Sequence, residues 1–288
     1  MKELVIVSGK GGTGKTSIAA SFAALARNKV IADCDVDAAD LHLVLEPTTL
    51  HRESFTGGSV AVIDMDKCDR CGICRDLCRF DAISEDYEVD AFACEGCAVC
   101  FHNCPRGAVK MIGRTAGEWF VSDTRHGPMV HARLVPGEEN SGKLVSIVRG
   151  KSREIAGEKE FDLVLIDGSP GIGCPVIASV TGATLVLAVT EPTLSGIHDL
   201  DRILSLAGHF KIPAAVCVNK HDINPEMTER IEHYCAENKI PIAGRVSFDP
   251  VVTKAQVMGV SVVEFSTGLA AREIEKVWRE VNYRLDSL

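Results

Sequence analysis

Two groups of residues in this 288-residue chain have types and spacings suited to chemistry. The first is Ser8-Gly9-Lys10-Gly11-Gly12-Thr13-Gly14-Lys15-Thr16. Glycines at this density let successive backbone N–H groups curl around phosphate oxygens, and a helix opening behind them adds the positive end of its dipole. Lys15 would neutralise β- and γ-phosphate oxygens, and the Thr16 hydroxyl would ligate Mg²⁺. The second group is Cys68-x-x-Cys71-x-x-Cys74-x-x-x-Cys78, echoed 26 residues later by Cys94-x-x-Cys97-x-x-Cys100-x-x-x-Cys104-Pro105. Cysteines crowded at this spacing argue for metal–thiolate ligation over disulfides.

Both groups need a scaffold. Glu3-Leu4-Val5-Ile6-Val7 is the apolar, β-branched run of a buried parallel strand, and Ile18, Phe22, Leu25 and Ala26 recur at helical spacing behind the glycines. Strand, glycine loop and helix in that order are the context of a phosphate site. Lys29-Val30-Ile31-Ala32 predicts a second strand, running into Asp33-Cys34-Asp35-Val36-Asp37. Phe161 to Ile166 predicts another, ending in Asp167-Gly168-Ser169-Pro170-Gly171. Carboxylates at strand C-termini beside such a loop are placed for Mg²⁺ and water chemistry. Ala183–Val189 and Pro213–Val218 are further core strands, and Asn219-Lys220-His221-Asp222 ends the latter, where α/β folds bind ligands.

The form Lys-Gly-Gly-x-Gly-Lys-Thr at Lys10–Thr16 resembles the deviant Walker A loop of the MinD/ParA superfamily, which also holds the nitrogenase iron protein and Mrp-type scaffolds. The resemblance implies a P-loop, doubly wound, mostly parallel sheet that binds ATP and Mg²⁺. Carried over by position, Gly9, Lys10, Gly11, Gly12, Thr13, Gly14, Lys15, Thr16 and Ser17 would cradle the phosphates. Thr16, Asp33 and Asp167 would serve Mg²⁺, and Asp35 would orient the attacking water. Lys10 would reach across a nucleotide-bridged dimer, making Lys10, Lys15 and Asp35 the catalytic set. Asn219, with Lys220, would face an adenine, and Phe248-Asp249 would wall it. Asn-Lys-x-Asp is also a guanine signature in which the Asp222 carboxylate reads the base, so GTP stays as the alternative. Gly168-Ser169-Pro170-Gly171 resembles switch II. Cys174 resembles in spacing a bridging-cluster cysteine of the nitrogenase iron protein, but a second such cysteine is missing near Gly137–Lys143. An ordinary cysteine is the default there, and Gly137–Lys143 reads as a loop contacting nucleotide or partner.

The cysteine repeat extends to neighbouring positions: Gly72-Ile73 matches Ala98-Val99, and Ala82-Ile83 matches Ala108-Val109. Two copies of one half-module resemble a bacterial-type two-cluster ferredoxin, an α+β domain. In that pattern three thiolates at i, i+3 and i+6 hold one cubane, and the distant cysteine of the other run supplies the fourth ligand. Cys68, Cys71, Cys74 and Cys104 would thus hold one [4Fe–4S] cluster, and Cys94, Cys97, Cys100 and Cys78 the other. Zinc, the structural alternative, usually takes two separated Cys-x-x-Cys knuckles. Arg79 stands where the ferredoxin pattern usually has Pro, which touches the turn after Cys78.

The chain is 46% apolar with net charge −9, enough for a packed core and unsuited to general nucleic-acid or anionic-membrane binding. No apolar run approaches a membrane span, so no stable membrane anchor and a cytoplasmic location are expected. Val60 to Gly113 holds ten acids against six bases, which either steers a basic redox partner or is plain solvated surface. The expected organisation is residues 1–58 as the first part of the ATPase, 59–113 as the inserted ferredoxin, and 114–288 as the second part, opening with a β-hairpin. The expected function is ATP hydrolysis that gates delivery of electrons or a metal–sulfur cluster to a client metalloprotein or redox partner. The chain would pair as a homodimer on ATP binding, or as a heterodimer with a paralogue. An ATP-driven electron donor and a positioning ATPase with redox-sensing clusters are the alternatives.

Overall fold

The apolar runs become the middle of a nine-stranded sheet ordered β3-β4-β5-β2-β6-β1-β7-β8-β9. A computed structural model describes residues 1–135, 137 and 141–288. The chain opens with β1 (Lys2–Ser8), α1 (Lys15–Leu25), β2 (Lys29–Asp33) and α2 (Leu41–Leu45). Strand β3 (Thr48–Ile63) leads to the short helices α3 (Ile73–Asp76) and α4 (Val99–His102), and β4 (Val109–Thr124) leads back. Then come β5 (Gly127–Leu134), α5 (Ser141–Glu158), β6 (Leu163–Pro170), α6 (Cys174–Val180), β7 (Leu185–Thr190) and α7 (Leu194–His209). The chain finishes with β8 (Ala214–Asn219), α8 (Pro225–Glu237), β9 (Ile242–Val246), α9 (Val251–Val257), α10 (Val262–Phe265) and α11 (Leu269–Ser287).

Two compact units result. One comprises Met1–Glu53, Trp119–Arg133 and Ser141–Leu288; the other comprises Ser54–Glu118 and Leu134–Asn140. In the first, β1 lies between β6 and β7, and β2 lies between β5 and β6, all parallel. Parallel strands are buried on both faces, which is why they read as continuous apolar runs. Alternate residues divide between the faces: Leu4 and Ile6 of β1 join Ile18, Phe22, Ile274, Val277 and Val281 in one cluster. The apolar stripe of the last helix is that packing surface, with the Trp278 and Phe22 ring centroids 5.0 Å apart. Register then does the positioning. Parallel pairing of β2 with β6 sets Asp33 opposite Asp167, and pairing of β1 with β6 sets Ser8 opposite Pro170. The glycine loop and both carboxylates therefore emerge at the same C-terminal end of the central strands.

The expected hairpin is present as β4 and β5, joined through Arg125-His126. The apolar run Val60-Ala61-Val62-Ile63 reads as a short strand and is the end of the long β3, which begins at Thr48 and runs straight through Gly57-Gly58. Its first seven residues are exposed and it ends the sheet, so polar and charged residues there cover an edge and do not break the strand. The contact loop expected over Gly137–Lys143 includes 138–140, which lie outside the described residues; α5 begins at Ser141. Among the described residues no helix is long and apolar enough to cross a membrane.

In the second unit the sequence repeat is also a backbone repeat. Arg70 and Gly96, Gly72 and Ala98, and Asp81 and Gly107 all have positive φ, each pair 26 positions apart. Gly72 precedes α3 as Ala98 precedes α4, both left-handed. The turn after Cys78, closed by the Asp81 N–H on the Cys78 carbonyl at 3.3 Å, matches the turn after Cys104, closed by Gly107 at 3.1 Å. Arg79 in place of Pro keeps that turn. The small core is Cys74, Ile83 and Tyr87, with Ile63, Cys68, Cys78, Val89 and Cys100 against it.

Candidate functional site

Between Ser8 and Lys15 the chain must turn from strand to helix while keeping its N–H groups free. Gly14, at φ +89°, makes the last step, and a Cβ there would meet the Asn219 amide at 2.2 Å. That approach lets the Asn219 Nδ2 donate to the Thr13 carbonyl at 2.7 Å, while Lys220 Nζ donates to the Gly12 carbonyl at 2.8 Å. Asn219 and Lys220, both expected near a base, thus also brace the loop.

A cleft of about 460 Å³ opens above it, lined by Gly11, Gly12, Thr13, Gly14, Lys15, Thr16 and Ser17. Asp35, Asn219, Lys220, Phe248 and Asp249 complete its predicted members. Gly9, Lys10 and Asp222 do not line it. Gly9 packs on α7, where a Cβ would strike Asp199 at 2.1 Å. Asp222 accepts the Phe248 N–H at 2.7 Å and so holds the loop carrying Phe248. Lys10 pairs with Glu191 at 2.7 Å.

Beneath the cleft Lys15 Nζ lies 2.6 Å from Asp167 and 3.2 Å from Asp35. Burial alone would push the Lys15 ammonium down, but Asp167, Asp35 and Asp33 outweigh it and raise its pKa. Burial, with Asp167 alongside, holds the Asp33 carboxyl well above its ordinary value. Burial also raises Asp35, against the pull of Lys15. One oxygen on each of Asp33, Asp35 and Asp167, and the Thr13 hydroxyl, is buried without a hydrogen-bond partner. Oxygens orphaned in this way suit a hard divalent cation, so the residues fit Mg²⁺.

The eight clustered cysteines fall into two sets around two small cavities. One cavity is lined by Cys68, Cys71, Cys74 and Cys104; the other by Cys78, Cys94, Cys97 and Cys100. Burial raises the Cys74 thiol and Cys68 and Cys71 add to it; burial raises Cys100 and Cys94 and Cys97 add to it. Burial alone would raise Cys104, but backbone N–H groups of Ala108, Val109, Arg106 and Gly107 bring it below the ordinary thiol value. Four thiols facing one cavity, with N–H groups aimed at sulfur, suit an iron–sulfur cluster. Among the described residues no three His, Cys, Asp or Glu donors converge on one metal ion. Cys174 is exposed at the start of α6, while Cys34, Cys217 and Cys235 are buried.

Sequence reasoning missed several neighbours. Val252, Thr253 and Gln256 of α9 line the cleft, and Gln256 Nε2 donates to Ser17 at 3.0 Å. Ser247 and Asp40 line it too. Glu191 contacts two lysines but follows a strand alone, with no motif to mark it.

A mostly parallel sheet with a glycine loop, a buried lysine and carboxylates at the C-terminal end of its central strands defines a P-loop nucleotide-binding α/β protein. Residues 4–262 match CbiA, the CobQ/CobB/MinD/ParA nucleotide binding domain, and the chain belongs to that family as a MinD/ParA-type nucleotide-binding ATPase. It is 35% identical over 228 residues to an uncharacterised protein of Methanocaldococcus jannaschii, spanning 77% of this chain and 79% of that one. A shorter stretch of 49 residues, 17% of this chain and 60% of the other, is 39% identical to pyruvate synthase subunit PorD of Methanothermobacter marburgensis. In fold it is similar to MinD of Pyrococcus horikoshii OT3 complexed with Mg-ADP, with TM-score 0.59, 18% identity, and coverage of 98% of this chain and 96% of that one.

Proposed function

We propose that this chain is an ATP-hydrolysing protein with two [4Fe–4S] clusters whose nucleotide state gates delivery of electrons or of a metal–sulfur cluster to a client metalloprotein. One observation carries the reading: a single chain has a cleft lined by the glycine loop, Lys15 and Asp35, with Asp167 paired to Lys15 beneath it, and also two cavities with four cysteines each. The residue sets around those cavities are Cys68, Cys71, Cys74, Cys104 and Cys78, Cys94, Cys97, Cys100, which supports the crossed ligand sets that a two-cluster ferredoxin would use. The short likeness to a pyruvate synthase subunit supports a redox setting for it.

In hydrolysis the chain's work is electrostatic and positional. Lys15 now holds Asp35 and Asp167; an arriving γ-phosphate competes for its ammonium and so releases Asp35 to orient water. Thr16 with Asp33 and Asp167 would hold Mg²⁺, which would supply positive charge to offset that of the phosphates. Water attacks the γ-phosphorus, the bond to the β-phosphate oxygen breaks, and ADP and phosphate leave. Lys10 of the partner subunit supplies the further charge, in a homodimer or in a heterodimer with a paralogue. Adenine is favoured over guanine because Asp222, the guanine reader of the alternative, is engaged on Phe248. The clusters, when bound, hold and pass single electrons.

Anaerobic purification tests the cofactors: about eight irons and eight sulfides per chain are expected, and stoichiometric zinc contradicts the reading. Lys10→Ala should bind MgATP as the parent does yet lose turnover, measured as phosphate release; unchanged turnover removes Lys10 from catalysis. With reduced protein, MgATP and a client, iron moving to the client marks cluster delivery. Oxidised clusters retained on the chain mark electron delivery.

A further inference from the structure

Lys10 lies outside the cleft because another group holds it. Glu191 follows β7, and β7 pairs in parallel with β1, so its carboxylate stands beside the glycine loop that follows β1. One carboxylate oxygen is 2.7 Å from Lys10 Nζ and the other 3.1 Å from Lys220 Nζ. Lys10 also donates to Ser195 at 3.0 Å, and Lys220 to the Gly12 carbonyl at 2.8 Å. The backbone that carries Glu191 is held by a tightly closed turn. Thr193 caps α7 through the Gly196 N–H, and a Cβ on Gly196 would strike the Glu191 carbonyl at 2.2 Å. At 17% side-chain exposure Glu191 is partly screened from solvent, and Lys10 and Lys220 keep its carboxyl below the ordinary range although burial opposes them.

We propose that Glu191 is a positioning residue for ATP hydrolysis: it parks Lys10 within its own subunit, so that Lys10 engages a phosphate only by exchanging Glu191 for it. The proposal rests on the reading of Lys10 as a lysine that acts on the partner subunit's nucleotide. The exchange is anion for anion, and no covalent step is involved. A phosphate of higher charge wins the ammonium; without nucleotide the carboxylate keeps it. Lys220 links the same carboxylate to Gly12, so the loop that touches phosphate and the residue that restrains Lys10 share one contact network.

Glu191→Gln keeps the shape and removes the charge. With the full chain, sedimentation in MgATP should then show self-association at about fivefold lower protein concentration, the factor of a partly screened ion pair. Phosphate release should show kcat raised by a similar factor, with KM for MgATP unchanged. The double substitution Glu191→Gln with Lys10→Ala should lose both gains. A raised KM without earlier association, or gains that survive removal of Lys10, overturns the latch and leaves Glu191 a brace of the loop. Lys10→Ala alone separates the two readings: if that variant turns over like the parent, the trans-acting lysine fails. If it is inactive while Glu191→Gln associates like the parent, only the latch fails.

Discussion

Lys15 has to serve two carboxylates, Asp35 and Asp167, before nucleotide arrives and a phosphate afterwards. Lys15→Ala should cost MgATP affinity about a hundredfold by calorimetry, since a charged hydrogen bond contributes up to about 3 kcal/mol. Retained affinity would place the phosphates elsewhere. In the cysteine-rich unit, Gly72 and Ala98 occupy equivalent left-handed positions, φ 85° and 61°. Only one of them is free of a Cβ, so the repeat contains its own control. Ala98→Gly should raise the denaturation midpoint of the iron-loaded protein by the equivalent of about 1 kcal/mol, and Gly72→Ala should lower it by about as much. Equal midpoints would mean that the left-handed geometry carries no strain. Most site residues were legible because each sits in a motif: the glycine loop, two strand-end acids, the spaced cysteines. Glu191 and Gln256 were not, since each matters only through what folding brings beside it. Asp222 was legible as a motif and not as a contact, because its partner, the Phe248 N–H, is distant in sequence.

At the scale of elements, the hairpin turn between β4 and β5 is tied to the body of its unit through α10. Arg125 grips Glu264 with two nitrogens, at 2.8 and 3.0 Å, and also reaches the Val44 carbonyl; His126 meets Glu264 at 2.9 Å. Burial alone would raise the Glu264 carboxyl, but Arg125 and the Ser261 N–H hold it down to about 2. A carboxyl depressed when folded stabilises fully above its ordinary value near 4.5, and that contribution is lost as pH falls toward about 2. Glu264→Gln should therefore have a lower urea midpoint than the parent at pH 7. The gap should close below pH 4.5. A gap that persists to low pH would show that packing, not charge, holds the turn. The buried strands were readable because parallel strands need apolar residues on both faces. The first half of β3 was not, because an edge strand with exposed Thr48, Arg52 and Glu53 has the composition of a loop. Backbone pairing formed it without an apolar signal.

For the whole molecule, the family establishes a nucleotide-binding ATPase over residues 4–262, and the cysteine repeat lies within the same span. The relative of Methanocaldococcus jannaschii shows that a chain similar over most of this length exists elsewhere. The proposed function joins a P-loop site and two four-cysteine cavities in one chain, and it requires that nucleotide state change what those cavities hold or release. The direct test loads the chain with iron and sulfide anaerobically, reduces it, and follows iron capture by a chelator with MgATP, with MgADP and with neither. The account predicts that the capture rate and the electron paramagnetic spectrum differ between the MgATP state and the other two, and that Lys15→Ala abolishes the difference. Identical rates and spectra in all three states, with MgATP shown to be bound, would contradict it.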